Sequence, residues 1–270
     1  MGNRVILLSS FLICFSFLGY SQKIEKSKRE LKEKSSSATT TSTAQSSNHD
    51  GESPFSNVFV EAFLYVGYYS VIGNYKWEKH LQNPLSPYPY CDNTSGNYSD
   101  TNSKTIRFDL ENNFLFENLG SIRSSYGNHF KAKIRTTQFV YGQLDYRVLF
   151  EKYYGTSTTS NLSLLQFNLG YDRLRFKKFN FGFLLGATYV GSGVNKAGIN
   201  VGLNADAFLL KNLSVNSSMM WSTINSQPVN SFEIKGKYHK KKFFFSVGYE
   251  NLKIASPIYN YATVGAGAYF

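Results

Sequence analysis

The sequence predicts an all-β fold, an antiparallel up-and-down transmembrane β-barrel of about ten strands (range about 8–12). A signal peptide, a disordered tether and a short helix or plug-like segment are expected to precede it. Three observations carry this prediction. From Thr105 onward, apolar residues alternate with polar or small ones at a period of two, which is the period of a strand. Aromatic residues make up 17% of the 270 residues, with 20 Tyr and 23 Phe, yet mean hydropathy is −0.30. The last alternating run ends on an aromatic residue, Phe270.

Residues 1–21 read as a signal peptide. Arg4 supplies the positive start, residues 5–18 form an apolar run, and Gly19-Tyr20-Ser21 puts small residues before a cut at Gln22. The apolar run is shorter than the ~20 residues that a spanning helix needs. Cys14 follows Ile13 rather than a small residue, which excludes a lipoprotein signal. Cleavage leaves Cys91 as the single cysteine, so no intramolecular disulfide is expected.

Residues 22–53 are expected to form a disordered Ser/Thr-rich tether. The run SSSATTTSTAQSS at 35–47 has too few apolar side chains to offset the entropy of ordering. Much of the net charge of +11 sits in two runs, residues 23–34 and Lys240-Lys241-Lys242. Both read as solvated segments. Export places nucleic acid out of reach, so the basic balance does not imply that partner.

Residues 54–104 form the next unit. NVFVEAFLYVGYYSVI at 57–72 fits a helix or a strand equally well, and Glu61 argues against a spanning helix. Residues 73–104 contain Pro84, Pro87 and Pro89 together with Tyr88-Pro89-Tyr90, so a continuous helix or a central strand is excluded. A long structured loop or plug is expected there.

Residues 105–270 form the barrel. Ile106, Phe108, Leu110, Phe114 and Phe116 share one face, opposite Arg107, Asp109, Glu111, Asn113 and Glu117. Further on, Leu165, Phe167, Leu169 and Tyr171 oppose Gln166, Asn168, Gly170 and Asp172, and Ile199, Val201, Leu203 and Ala205 oppose Asn200, Gly202, Asn204 and Asp206. The apolar set is taken as the outward face. Tight links at 175–178, 211–212 and 240–242 alternate with somewhat longer ones at 191–196, 226–230 and 256–260. That alternation places the tight links on the side of the C-terminus, expected to be periplasmic. Residues 129–151 keep one alternation throughout, but as one strand would rise more than about 70 Å. A split at Thr137-Gln138-Phe139, with Thr136 facing Val140, gives about ten strands. The alternative keeps one long strand and recruits residues 57–72 as another.

The C-terminal run Thr263-Val264-Gly265-Ala266-Gly267-Ala268-Tyr269-Phe270 resembles the β-signal of outer-membrane barrels. Thr263, Gly265, Ala268 and Phe270 fill its polar, glycine, hydrophobic and terminal aromatic positions, Ala268 being a weak hydrophobic match. Residues 105–270 as a whole, with the signal ending in Ser21-Gln22, resemble the small outer-membrane β-barrel proteins common in Bacteroidota. The resemblance implies an outer-membrane location, with membrane lipid and the barrel assembly machinery as partners.

No catalytic, metal-binding or cofactor motif stands out. The histidines, His49, His80, His129 and His239, have no zinc spacing, and there is no Gly-x-Ser-x-Gly elbow. His129 near Ser124 and Ser125 is better read as part of a polar surface loop than as a catalytic pair. The polar face brings Asp109, Glu111, Lys131, Lys133, Arg135, Asp145, Arg147, Glu233, Lys235 and Lys237 toward one narrow lumen. Isolated charges there are costly and are expected to pair. Four functions follow: a structural or surface-interacting barrel with a side-chain-filled lumen, a narrow channel for small solutes, a lipid-modifying enzyme, and a soluble exported β-protein. The first is preferred, because a barrel of about ten strands leaves little open channel. Ligand and oligomeric state are left open.

Overall fold

A computed structural model describes residues 23–33, 84–91, 96–98, 106–117, 123–137, 139–153 and 159–270. The signal peptide, the tether over residues 34–53 and the ambiguous segment 57–72 lie outside the described residues. The strands are β1 (Arg107–Glu117), β2 (Arg123–Arg135), β3 (Val140–Tyr153), β4 (Thr159–Arg175) and β5 (Phe179–Val190). They continue with β6 (Lys196–Leu210), β7 (Leu213–Ile224), β8 (Gln227–Lys240), β9 (Phe243–Ile254) and β10 (Ile258–Tyr269).

Each strand pairs with its sequence neighbours, and β1 pairs with β10 to close the barrel. Antiparallel pairing at the seam runs from Asp109 opposite Tyr269 to Phe116 opposite Ala262. Ten strands therefore suffice for closure, and residues 57–72 are not needed as another. Division of 129–151 falls where the alternation requires it: β2 ends at Arg135, which pairs with Tyr141 of β3.

The apolar phase of the strands faces outward. Phe167 is 62% exposed and Ile199 75%, while their strand neighbours Gln166 and Asn200 are buried inside. A contiguous apolar wall of this kind cannot be left to water. A 12-residue strand tilted by about 40° spans about 30 Å, enough to cross a hydrocarbon core.

Two expectations need correction. The link expected over 226–230 is the two-residue turn Asn225-Ser226, both at positive φ (49° and 63°), and residues 227–230 belong to β8. Asn at positive φ suits the primed turns that join twisted antiparallel strands. Links at the two ends of the barrel therefore differ little in length over this half. The second correction concerns the tether. Lys23–Lys32 is a helix, α1, seated in one mouth of the barrel.

Candidate functional site, a lumen closed at three levels

The inward phase of the strands is layered by height. At the end opposite Phe270, it is apolar: Leu115, Leu149, Leu162, Val190, Ile224 and Ile254 form a buried collar. The alternation reading expected polar residues inside throughout, and here aliphatic side chains take much of the inward face, beside Ser125, Glu151, Tyr259 and Tyr261.

The collar receives α1. Ile24, Ser27 and Leu31, at helical spacing, are all fully buried. A ten-residue helix is marginal alone in water, so the socket supplies most of its stability. Burying Ile24 and Leu31 contributes about 1.5–3 kcal/mol each. Glu25 lies in the first turn and Arg29 and Lys32 in the last, which complements the helix dipole.

Polar contacts fix α1 at both ends. The backbone amides of Lys23 and Ile24 donate to the two Glu151 carboxylate oxygens at 3.2 and 3.0 Å, capping the exposed first amides of the helix. The Lys23 ammonium reaches Glu117 at 2.7 Å. Ser27 donates to the Ile254 carbonyl at 2.9 Å and shares a hydrogen bond with the Tyr259 hydroxyl. At the far end, the Ser256 hydroxyl and amide hold the Glu30 carboxylate at 2.7 and 2.9 Å. Burial pushes the Glu30 carboxyl up, but those Ser256 hydrogen bonds, with Lys26 and Arg29 nearby, hold it below its ordinary 4.5.

The middle level is an ion lattice. His129 sits at its centre, with Nδ1 3.0 Å from Glu250 and Nε2 3.0 Å from Asp145. Arg147 Nε donates to Glu250 at 2.5 Å, and its Nη1 donates to Gln166 at 2.6 Å. Lys131 bridges Glu233 and Asp145. Lys235 bridges Glu233 at 2.9 Å and Glu111 at 3.2 Å, and Lys237 reaches Glu111 at 2.5 Å. Buried charges need such partners. Across the lumen the lattice grades into amides and hydroxyls, where Gln166 and Asn200 both donate to Thr188.

His129, Glu233 and Glu250 bring ligand-type atoms within 4.8 Å of one another. Glu233 already faces Lys131 and Lys235, and Glu250 faces Arg147. With three cations in place, the group reads as an ion lattice and not as a metal centre. Nor does His129 pair with a serine: both its ring nitrogens meet carboxylates, and Ser125 turns to the Tyr261 hydroxyl at 2.9 Å.

At the end that holds Phe270, part of the Tyr/Pro-rich segment enters the mouth. Leu85 and Tyr98 bridge in antiparallel fashion, and the buried Tyr98 hydroxyl donates to Asp172 at 2.7 Å. Arg107 clamps this segment through the Ser86 carbonyl and Asn97, and pairs with Asp109 at 2.7 Å. Arg135 pairs with Asp172 at 2.5 Å and approaches Asp109 at 3.7 Å. Lys133 lies over the Tyr141 ring at 5.0 Å. That ring lies against its cross-strand partner on β4, Gly170, where a Cβ would stand 2.2 Å from it. A cavity of about 40 Å³ remains, lined by Pro89, Asn97, Lys133, Asp206 and Lys237 among others. It has room for a few waters.

Inside the barrel lie the ten charges named from the sequence, with Arg107, Asp172 and Asp206 of the same polar face, Glu250, and His129, which is fully buried in β2 and not part of a surface loop. Their common signal was position in the inward phase. Of the four C-terminal residues, Thr263 is buried inside, and Gly265 packs where a Cβ would meet Asn113 Oδ1 at 2.2 Å. Ala268 pairs with Leu110 at the seam. Phe270 is exposed on the outer wall, its backbone hydrogen-bonded both ways to Phe108.

No family model matches the chain, and no curated protein does. Among solved structures, the chain is similar to the KdgM porin (TM-score 0.34, 11% identity, 61% of this chain and 99% of that one). It is also similar to Neisserial surface protein A (TM-score 0.32, 14% identity, 62% and 98%). A third similarity is to Ail, the attachment invasion locus protein of Yersinia pestis (TM-score 0.30, 10% identity, 61% and 97%). The barrel itself rests on the strand pairing described above.

Proposed function

We propose that the chain is an exported outer-membrane β-barrel with a structural or surface-interaction role and a lumen closed by its own side chains. One observation carries this reading: α1, the ion lattice and residues 84–91 with 96–98 obstruct the lumen at successive heights. The outward apolar wall supports residence in lipid, and the C-terminal pattern at Thr263, Gly265, Ala268 and Phe270 supports delivery by the barrel assembly machinery. With the C-terminus periplasmic, α1 caps the outer mouth. The β-signal and the Ser21-Gln22 ending favour a small barrel of the Bacteroidota type.

A narrow or gated channel is the second reading, favoured by the entry of residues 84–91 and 96–98 into one mouth. Planar-bilayer recording on purified, refolded protein separates the two. A closed lumen gives no discrete conductance steps. Reproducible steps would establish the channel and remove the structural reading.

A further inference from the structure

The turns at the two ends of the barrel differ in chemistry. At the Phe270 end, the β4–β5 link carries Lys177 and Lys178, the β6–β7 link carries Lys211, and Lys240, Lys241 and Lys242 surround the β8–β9 turn. All six lysines are exposed. No Asp or Glu stands in these turns, and the links at the opposite end, 191–195, 225–226 and 255–257, contain no lysine.

The lysines border two grooves. One, of about 600 Å³, is walled by Tyr88, Phe243 and Phe245 with Lys240, Lys241 and Lys242 at its edge. The other, of about 510 Å³, is walled by Tyr90, Phe208, Leu209 and Leu210 with Lys178 and Lys211 at its edge. Phe243, Phe245, Leu209 and Leu210 are among the most exposed apolar residues of the outer wall. The Tyr88-Pro89-Tyr90 turn sends one ring to each groove. Tyr90 adopts a positive φ of 62° and donates its hydroxyl to the Leu213 carbonyl at 2.5 Å, so its ring is fixed there.

An apolar wall ending in two or three ammonium groups fits one kind of molecule: an acyl chain that carries a phosphate at its polar end. Lysine binds phosphate as a mobile point charge, and its methylene stem lies along apolar surface while the charge reaches the headgroup layer. Aromatic residues at that level anchor a protein at the membrane interface. We propose that this basic rim holds anionic glycerophospholipids of the adjoining leaflet, one in each groove, with headgroup phosphates on Lys240–Lys242 and on Lys178 and Lys211. The proposal rests on the reading of the chain as a membrane-spanning barrel.

The test uses the full refolded chain in phosphatidylcholine vesicles with trace spin-labelled phosphatidylglycerol or phosphatidylcholine. The motionally restricted fraction gives the relative association of each lipid. Wild type is expected to prefer phosphatidylglycerol about threefold or more at low salt, the preference falling as salt rises. K240Q/K241Q/K242Q and K178Q/K211Q should each lose part of it, and the combined variant nearly all. K196Q/K253Q, at the other end, should retain it. Inserted wild type without a preference, or a preference that survives in the combined variant, overturns the proposal and leaves the barrel intact. Should the combined variant fail to insert, acetylation of the exposed lysines on inserted wild type must abolish the preference. A wild type that never inserts, read by heat-modifiable migration and protease resistance, removes the membrane reading as well.

Discussion

The side-chain amide of Asn225 donates to the main-chain carbonyl of Leu31 at 2.6 Å, joining a turn of the barrel rim to the last turn of a helix 194 residues earlier. That bond satisfies one of the carbonyls that a helix C-terminus leaves without a partner. It makes α1 a fitted part of the mouth.

Leu31→Asp is expected to release α1 while leaving the barrel folded. The lost burial, about 1.5–3 kcal/mol before any penalty for the new charge, raises the undocked fraction about ten- to hundredfold. Trypsin should then cut at Lys26, Lys28, Arg29 or Lys32 in the inserted variant, where wild type resists. Equal cutting of both proteins would show that α1 is not held.

Acidification should release α1 as well. Glu30 is held below 4.5 when docked: burial raises it, but the Ser256 hydrogen bonds and the charges of Lys26 and Arg29 together outweigh burial. Glu25 is lowered first by the hydrogen bond from Lys28. A carboxylate lowered in the docked state contributes stability that is full above the free value and is lost as pH falls through the docked value. Tryptic cutting cannot be followed in acid, so pepsin sensitivity, or a fluorophore placed on α1, is the readout. Docking should be constant above about pH 5 and weaken below it, and Glu30→Gln should flatten the response.

Within the lattice, Arg147→Met should cost about 3–5 kcal/mol of unfolding free energy, because Glu250 is left buried without its cation. Pairing that change with Glu250→Leu should recover most of the loss. Urea unfolding of the inserted protein measures both. A double variant as unstable as the single one would show that Arg147 and Glu250 do not act as a pair.

At the seam, a Cβ on Gly265 would stand 2.2 Å from Asn113 Oδ1 and 2.4 Å from the Asn112 carbonyl. Gly265→Val is therefore expected to reduce the yield of heat-modifiable, closed barrel severely. Asn113→Ala should rescue it only in part, since the backbone carbonyl remains. Normal assembly of Gly265→Val would show that the seam tolerates a side chain there.

The outward wall was legible because alternation records phase directly: Leu165, Phe167 and Leu169 against Gln166 and Asn168 needs no knowledge of neighbours. For residues 129–151, length argues for a division and the preserved alternation locates it at 137–139, while one long strand stays open until the pairing of Arg135 with Tyr141 excludes it. The collar was not legible, because Leu115, Leu149, Leu162 and Ile254 keep the inward phase while reversing its chemistry. Phase does not report height along a strand. Residues 23–32 read as a solvated charge run because only Ile24 and Leu31 are large and apolar; the socket that selects the helix is distributed over eight strands. The pairing of Lys131 with Glu233, 102 residues apart, depends on register around the barrel, which spacing within a strand cannot supply.

In a membrane-spanning barrel with this wall, the apolar phase of the strands meets lipid and the polar phase does not. Single cysteines at Leu165, Gln166, Phe167, Asn168 and Leu169 of β4, introduced after replacing Cys91 with serine and labelled with a fluorophore, test it in vesicles of brominated lipid. Strong quenching at 165, 167 and 169, with little at 166 and 168, is the predicted result. Quenching without alternation, or strongest at 166 and 168, would contradict the barrel's orientation in the membrane.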